Sequence, residues 1–291
     1  MQILPFDNRD GFIWLNGKFI KWRDANIHVL NHGLHYASCV FEGLRIYNGR
    51  IFKLEEHIKR LFNSAKILDL DIPYNYEKVI KTTKEIIVRQ NVSNGYVRPV
   101  VWRGSEMMAI SAKKGSTNLA IAAWEWPSYF SPEKLLEGIK LNVSKWLRPS
   151  PESAPTDSKA AGLYMICSLS KHEAEKLGFD DALMLDYRGY VAEATGANIF
   201  FVKNNELFTP IADCFLNGIT RQTVIEIAKE NKIKTHEKHL KLDFLKTCDE
   251  VFLTGTAVEI TPVSCIKNFN FEERKLTKFL MSEFKKKVIT S

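Results

Sequence analysis

The first half of the chain alternates apolar and polar residues in short runs, a pattern that predicts antiparallel strands. Two Asn-Gly pairs, Asn16-Gly17 and Asn48-Gly49, each lie between such runs and predict tight hairpin turns. The predicted strands of this region are 12–15, 18–22, 40–47, 50–52, 96–102 and 119–126.

Two segments between these strands have helical periodicity instead. Residues 54–68 place Ile58, Leu61, Phe62 and Ala65 on one face, which predicts an amphipathic helix. A second helix is predicted over residues 76–90. The first part of the chain is therefore predicted to form an α+β domain with mostly antiparallel pairing.

A run of turn formers at 127–132, Pro-Ser-Tyr-Phe-Ser-Pro, interrupts this pattern and predicts a linker. We therefore predict a small N-terminal α+β domain at 1–126, an interdomain linker at 127–135 and a large domain at 136–291. The predicted elements of the large domain are helices at 163–176 and from Thr220, and strands at 139–146, 182–186, around Glu193, 198–202, 207–208 and 250–253. A regular βαβαβ alternation is missing, which argues against a Rossmann-type fold.

Composition and charge fit an ordinary globular protein. Hydrophobic residues make up 45% of the 291 residues, enough for a sizeable core, and the net charge is +7 with a pI near 9.0. The basic residues are spread among 34 acidic ones and do not form a patch, so we expect no nucleic-acid binding. A positive site would still favour an anionic cofactor or substrate.

The five cysteines are widely spaced and form no Cys-x-x-Cys pair, so neither a disulfide framework nor a metal site is expected. No signal peptide is visible, and no apolar run approaches the ~18 residues of a membrane helix. These features predict a cytoplasmic protein without membrane contacts.

A lysine and a glutamate are candidates for cofactor chemistry. Lys159 lies in Ser-Lys-Ala-Ala-Gly-Leu-Tyr at 158–164, and a lysine amine can form a Schiff base with an aldehyde. Glu193 lies in the apolar segment 191–201, where an unpaired carboxylate is costly, so it needs a partner such as a protonated pyridine nitrogen. Taken singly, a solvated lysine and a structural salt bridge are the alternatives.

Two glycine-containing turns are candidates for an anion site. The turn at 216–222 leads into a helix whose first backbone amides, with the Thr220 hydroxyl, can bind phosphate. The segment 254–257, Thr-Gly-Thr-Ala, follows a strand and offers a second cluster of amides and hydroxyls. Such turns are common, and an ordinary structural turn is the alternative.

The segments around Lys159 and Glu193 together resemble fold-type IV pyridoxal 5'-phosphate (PLP) enzymes, the class IV aminotransferases, and most of all the branched-chain amino-acid aminotransferases. Similar motifs run from Trp14 to Val263. The resemblance implies a two-domain, D-amino-acid aminotransferase-like α+β fold, with a smaller N-terminal α/β domain and a larger C-terminal domain with pseudo-barrel strands. It also implies PLP as cofactor and ping-pong transamination between branched-chain L-amino acids (Leu, Ile, Val) and 2-oxoglutarate.

The resemblance also assigns roles to residues, with Lys159 as the catalytic residue. The cofactor-binding residues that it implies are Arg60, Lys159, Tyr164, Glu193, Gly218, Ile219, Thr220, Gly255 and Thr256. The substrate-binding residues that it implies are Tyr36, Phe41, Tyr96, Arg98, Met108, Ile110, Trp126, Tyr129, Thr256 and Ala257. Met108 and Ile110 align with residues that reach a neighbouring subunit's pocket. At least a homodimer is therefore implied, and a hexamer stays open.

Three other functions compete with this one. A D-amino-acid aminotransferase and an aminodeoxychorismate lyase share the fold, but Tyr96-Val97-Arg98-Pro99 differs from the Arg-x-His carboxylate trap of the D-enzymes. A non-catalytic binding or regulatory protein on a relic fold would require the loss of a cofactor-binding group. The chain retains the whole set of Arg60, Lys159, Tyr164, Glu193 and Thr220.

Overall fold

The computed structural model describes residues 4–126 and 128–290, which divide into two compact units. The first unit contains residues 4–126 and Ser158–Gly162, and the second contains Ser128–Asp157 and Leu163–Thr290. The division differs from the predicted ranges in that the short segment around Lys159 packs with the first unit. Residues 1–3, 127 and 291 of the predicted ranges lie outside the described residues.

The first unit is built on one antiparallel sheet. Its described strands are β1 (Phe12–Leu15), β2 (Lys18–Lys21), β3 (Cys39–Phe41), β4 (Leu44–Tyr47), β5 (Arg50–Ile51), β6 (Gly95–Arg103) and β7 (Thr117–Glu125). They lie in the order β2-β1-β7-β6-β4-β5, and β3 also pairs with β6. Its helices are α1 (His32–Tyr36), α2 (Leu54–Ile67) and α3 (Tyr76–Arg89), with a 3₁₀ turn at Trp22–Asp24.

One face of this sheet forms a hydrophobic core with α2 and α3. Val97 of β6 and Leu119 of β7 are fully buried there with Ile58 and Leu61 of α2. The apolar face predicted for residues 54–68 is therefore the buried face. The start of α3 is fixed by Asn75, whose side chain accepts a hydrogen bond from the amide of Lys78 at 2.9 Å.

The predicted strand at 40–47 is interrupted. Both Asn-Gly turns form as predicted, with positive φ at Asn16 and Asn48, but β3 ends at Phe41 and β4 begins at Leu44. Glu42 lies opposite Pro99, whose nitrogen carries no hydrogen to donate to the ladder, although the Glu42 amide still donates to the Pro99 carbonyl at 2.9 Å. The Glu42 carboxylate is buried against α2, and Gly43 packs against Tyr96. This break places a buried charge at the centre of the first unit.

The second unit is built on a mixed sheet. Its described strands are β8 (Ile139–Val143), β9 (Asp181–Leu185), β10 (Val191–Ala194), β11 (Asn198–Lys203), β12 (Glu206–Thr209), β13 (Thr235–Glu237), β14 (Glu250–Gly255), β15 (Glu259–Ile266) and β16 (Phe269–Asn270). They lie in the order β10-β9-β8-β15-β14-β11-β12-β13, with β16 on β15. Parallel pairs are β15–β8, β8–β9 and β12–β13.

The helices of the second unit are α4 (Pro132–Glu137), α5 (Tyr164–Lys176), α6 (Ile219–Glu230) and α7 (Lys275–Thr290), with a 3₁₀ turn at Leu242–Thr247. A further 3₁₀ turn, Ala161–Leu163, begins in the first unit and ends in the second. Part of the predicted linker is thus helical, and β8 is shorter than predicted. The strands β13, β15 and β16 and the helix α7 were not predicted. Among the helices that the structure describes in both units, none combines the length and apolar character needed to cross a bilayer.

Candidate active site

The backbone around Lys159 is fixed within the first unit. Its amide donates a hydrogen bond to Ser64 Oγ of α2 at 3.0 Å, and its carbonyl accepts one from the Phe41 amide at 3.2 Å. The next residue, Ala160, forms an isolated antiparallel bridge with Val40 of β3. The lysine is therefore held by a helix and a strand and does not lie on a free loop.

The side chain of Lys159 points towards an aromatic ring. Its Nζ lies 5.2 Å from the centre of the Phe41 ring. The guanidinium carbon of Arg98 lies 4.6 Å from the same ring and 5.5 Å from the ring of Tyr96. The structure thus brings four of the predicted site residues together in the first unit, with two cations next to aromatic rings that they can contact favourably.

Tyr96 is held in place by close packing. Its ring stands edge-on to Trp126 at 4.8 Å, and it is 6% exposed. Its hydroxyl approaches the Gly43 backbone so closely that a Cβ atom at residue 43 would lie 1.7 Å from it. The position therefore requires glycine, because a side chain at residue 43 would displace the Tyr96 hydroxyl.

Arg60, a predicted phosphate ligand, binds a buried carboxylate in the first unit. Its Nε and Nη2 lie 2.5 and 3.0 Å from the two carboxylate oxygens of Glu42, and His57 Nδ1 lies 2.7 Å from Oε2. Burial alone would raise the pKa of Glu42, but the charge of Arg60 and the interactions with His57 hold that pKa far below its usual value. Burial lowers the pKa of His57.

No role was predicted for Glu42 from the sequence. The signal was available, because Glu42 lies in an apolar strand pattern, as Glu193 does. His57 was equally overlooked, although it lies three positions before Arg60 and so on the same face of α2.

In the second unit, Glu193 lies in β10 and is 9% exposed. Both of its carboxylate oxygens have a neighbour. Arg148 Nε lies 3.3 Å from Oε1, and Asn198 Nδ2 donates a hydrogen bond to Oε2 at 3.1 Å. The carboxylate is thus oriented from two sides by residues that the sequence analysis did not single out.

Asn198 also connects Glu193 to the first predicted anion-binding turn. Its Nδ2 donates to the Leu216 carbonyl at 3.0 Å, and its Oδ1 accepts from the Gly218 amide at 3.1 Å. A Cβ atom on Gly218 would lie 2.2 Å from that Oδ1, so the contact requires glycine. One buried amide side chain therefore fixes both a carboxylate and a turn.

The two predicted anion-binding turns adjoin Asn198. Helix α6 begins directly after Gly218, with Ile219 and Thr220 as its first residues, both buried. Asn198 also pairs with Thr254 at the end of β14, where Gly255, Thr256 and Ala257 follow, all partly buried. Thr254 is fully buried, and its hydroxyl has no hydrogen-bond partner within residues 4–126 and 128–290.

The remaining predicted residues lie at varied positions. Tyr164 begins α5 and is partly buried. Tyr129 packs edge-on against Phe130 at 4.9 Å. Tyr36, Met108 and Ile110 are surface residues of the first unit, and Ile110 is 83% exposed.

Each unit by itself presents groups suited to part of PLP. The first offers a lysine amine next to an aromatic ring. The second offers a buried carboxylate, which can accept a hydrogen bond from a protonated ring nitrogen, and backbone amides at the start of a helix, which can bind phosphate. The buried, unpartnered hydroxyl of Thr254 is a further donor beside the turn at Gly255. The residues present therefore fit this cofactor.

Comparison with known proteins agrees with this chemistry. Residues 39–266 match the family model for amino-transferase class IV. A probable branched-chain-amino-acid aminotransferase of Rickettsia bellii is 46% identical over 284 residues, covering 96% of this chain and 97% of the relative.

Solved structures are also similar to this chain. The branched-chain amino acid aminotransferase of Escherichia coli is 36% identical with a TM-score of 0.92, covering 96% of this chain and 94% of that one. The T.th. branched-chain amino acid aminotransferase, complexed with N-(5'-phosphopyridoxyl)-L-glutamate, is 36% identical with a TM-score of 0.92, covering 97% and 95%. The predicted resemblance and fold class are confirmed. The chain belongs to the class IV aminotransferases, a family of PLP-dependent transferases.

Proposed function

We propose that this chain transfers amino groups between branched-chain L-amino acids (Leu, Ile, Val) and 2-oxoglutarate with PLP, in a ping-pong cycle. The observation that carries the proposal is the buried carboxylate of Glu193, held at both oxygens in a strand next to an anion-binding turn. The names of the Rickettsia bellii and Escherichia coli relatives support the branched-chain donor. The phosphopyridoxyl-glutamate complex of the T.th. enzyme supports glutamate and 2-oxoglutarate as the second pair.

The proposed chemistry divides between an electron sink and a proton carrier. When bound, PLP supplies the electron sink, provided that its ring nitrogen stays protonated. Glu193 would accept a hydrogen bond from that nitrogen, and Tyr164 would bind the ring oxygen. Lys159 would attach the cofactor through Nζ and, once released, would carry a proton from the substrate Cα.

The phosphate would be bound by backbone amides and hydroxyls of the second unit and by one arginine. The proposed ligands are Gly218, Ile219, Thr220, Gly255, Thr256 and Arg60. The pairing of Arg60 with Glu42 supports this role, since the two-point ion pair sets the direction of the guanidinium. A planar, fixed guanidinium suits phosphate recognition better than a mobile amine does.

Substrate recognition would combine a carboxylate site and an apolar wall. Tyr96, with the amides of Thr256 and Ala257, is proposed to bind the α-carboxylate, and Arg98 the second carboxylate of glutamate. The proposed wall consists of Tyr36, Phe41, Trp126 and Tyr129. Burial of an aliphatic side chain contributes about 25 cal/mol per Å². One methylene changes discrimination by only ~1–3 kcal/mol, so Leu, Ile and Val should all react.

A second copy of the chain is the proposed partner, giving at least a homodimer. Apolar side chains of the first unit are exposed around an apolar cavity of about 430 Å³, which Ile27 and Leu34 line. Met108 and Ile110 are also exposed and would reach the partner's substrate site. Exposed apolar surface of this kind marks an interface. We propose the cytoplasm as the compartment, and neither nucleic acid nor a membrane as a partner.

A panel of amino donors with 2-oxoglutarate tests the proposal. We expect L-Leu, L-Ile and L-Val to yield glutamate and the matching 2-oxo acids, with the protein yellow as purified. Activity with D-Leu instead would identify a D-amino-acid aminotransferase. Release of pyruvate from aminodeoxychorismate without transamination would identify a lyase, and a colourless, inert protein would indicate a relic fold.

A further inference from the structure

Arg148 is a buried arginine that the proposed chemistry above does not use. Its backbone is fixed on both sides, because its amide donates to the Leu185 carbonyl at 2.8 Å and its carbonyl accepts from the Tyr187 amide at 3.0 Å. Its side chain is 6% exposed. A guanidinium moved out of water loses several kcal/mol of hydration, so a charge in this position needs compensation.

The compensation comes from Glu193. Arg148 Nε lies 3.3 Å from Glu193 Oε1, an ion pair whose geometry falls short of a hydrogen bond. The other end of the guanidinium faces α5, where Nη1 lies 3.5 Å from the Leu163 carbonyl and 3.5 Å from Cys167 Sγ. Burial lowers the pKa of Arg148, but the charge of Glu193 and the interactions with Cys167 and Tyr164 together outweigh burial and raise that pKa. The arginine therefore stays charged beside the carboxylate.

The Glu193 carboxylate has two fixed neighbours with different functions. Asn198 is neutral and fixes Oε2 by a hydrogen bond. Arg148 adds a permanent positive charge at Oε1. A carboxylate in an apolar strand would otherwise take up a proton readily, because burial disfavours the charged form. A protonated Glu193 could offer a protonated ring nitrogen only a neutral carbonyl oxygen, and the stronger charge-assisted hydrogen bond would be lost.

We propose that Arg148 is the positioning residue of Glu193: its charge keeps Glu193 ionised, and thereby able to hold the protonated cofactor nitrogen, down to acidic pH. This inference rests on the proposed PLP function. It predicts that cofactor affinity stays nearly constant as the pH falls, and that this constancy depends on the charge at residue 148.

The neighbouring titratable groups do not supply this effect. In the described residues, those acting on the pair include Tyr164 and Cys167 on α5 and Cys214 before α6. Burial raises the pKa of Cys167 to about 11 and that of Cys214 to about 12. Both thiols are neutral across the acidic range, so neither can replace the charge that Arg148 places beside Glu193 there.

The test measures PLP binding to apoenzyme by equilibrium dialysis between pH 5.5 and 8.5. The variants are Arg148→Met, which removes the charge, and Arg148→Lys, which keeps it. For Arg148→Met we expect the loss of affinity relative to wild type to be at least about tenfold larger at pH 5.5 than at pH 8.5, as when only about one tenth of the Glu193 carboxyls stay ionised at pH 5.5. Arg148→Lys should follow the wild-type profile.

A structural role alone would give a different result. An equal loss of affinity at every pH in Arg148→Met, or an unchanged profile, would overturn the inference. If wild-type protein fails to bind PLP at all, the proposed function fails instead, so the two failures are distinguishable.

A second measurement does not use the Arg148 variants. In ¹³C-glutamate-labelled wild-type apoenzyme, with Glu193→Gln as the assignment control, the Glu193 carboxyl signal should remain that of the ionised form down to pH 5.5. Protonation of Glu193 above that pH would also overturn the inference.

Discussion

Glu42 binds Arg60 through both carboxylate oxygens, with Nε at 2.5 Å and Nη2 at 3.0 Å, in a position where Glu42 has no exposed surface. The pair joins the break between β3 and β4 to helix α2. Because removal of one partner leaves a buried charge unmatched, this contact should matter both to the stability of the first unit and to the direction of Arg60.

Replacement of Glu42 by Gln should lower the free energy of unfolding by about 3–5 kcal/mol, since Arg60 would lose its buried counter-charge. Urea unfolding of the apoenzyme measures this. Glu55→Gln, an exposed change on α2, the helix that carries Arg60, is the matched control and should stay within about 0.5 kcal/mol of wild type. Equal stability of Glu42→Gln and Glu55→Gln would show that the Glu42–Arg60 pair makes no net contribution to the free energy of unfolding.

The same cluster should make the protein sensitive to acid. The folded-state pKa of Glu42 is held far below its unfolded value near ~4.3, so its stabilisation is complete above that value and is lost as the pH falls below it. Burial lowers the pKa of His57, which acts in the same direction from about pH 6.5 downward. The urea concentration at the unfolding midpoint of wild type should therefore decrease as the pH falls. In Glu42→Gln, the steep decrease at the acidic end of the range should be absent. A midpoint independent of pH between about 7 and 3.5 would contradict this assignment.

Replacement of Gly218 by Ala should weaken PLP binding at least about tenfold and destabilise the second unit by about 1–3 kcal/mol. The added Cβ would meet Asn198 Oδ1 at 2.2 Å and would break the contact that fixes the turn. Gly196→Ala is the control, because nothing lies within 4 Å of a Cβ at that position. Dialysis and thermal unfolding give the two readouts. Similar effects of both substitutions would argue against the role of the Asn198–Gly218 contact.

Replacement of Lys159 by Ala should abolish the visible absorbance of the protein-linked cofactor and reduce transamination by at least ~10³-fold, as expected for loss of a proton carrier. The spectrum and the rate of glutamate formation from L-Leu provide the measurements. Lys145→Ala, at an exposed lysine paired with Glu173, should behave as wild type. Full turnover by Lys159→Ala would refute the catalytic assignment.

Replacement of Arg98 by Met should reduce kcat/KM for glutamate by about 10–150-fold and that for leucine much less, because only glutamate has a second carboxylate. Arg89→Met, at an exposed arginine paired with Glu85, is the control. Equal losses with both donors would mean that Arg98 acts through the rings of Phe41 and Tyr96 that it contacts, and not on the substrate.

Much of the fold could be predicted because its signals are local. The Asn-Gly turns, the apolar face of α2 and the hairpins of the second unit each depend on residues close in sequence. The interruption at Glu42-Gly43 could not be predicted, because the pairing of Glu42 with Pro99, which has no N–H for the ladder, is set by the register of strands distant in sequence.

The candidate site shows the same division. Lys159 and Glu193 could be identified because short motifs surround them. Arg148 and Asn198 could not, since their roles depend on the sheet that brings three separate segments together around Glu193. The grouping of Ser158–Gly162 with the first unit was missed for a similar reason, because hydrogen bonds to Ser64 and Phe41 outweigh its place in the sequence.

That grouping has a consequence for engineering. A chimaera made by joining one parent's residues 1–126 to another parent's C-terminal part would combine residues 158–162 of the second parent with Ser64 and Phe41 of the first. A fragment that ends at residue 126 would lack the Lys159 amine, and a fragment that begins after it would carry Lys159 without Ser64 and Phe41. Recombination of related transaminases should therefore succeed only when residues 158–162 are inherited together with the N-terminal half.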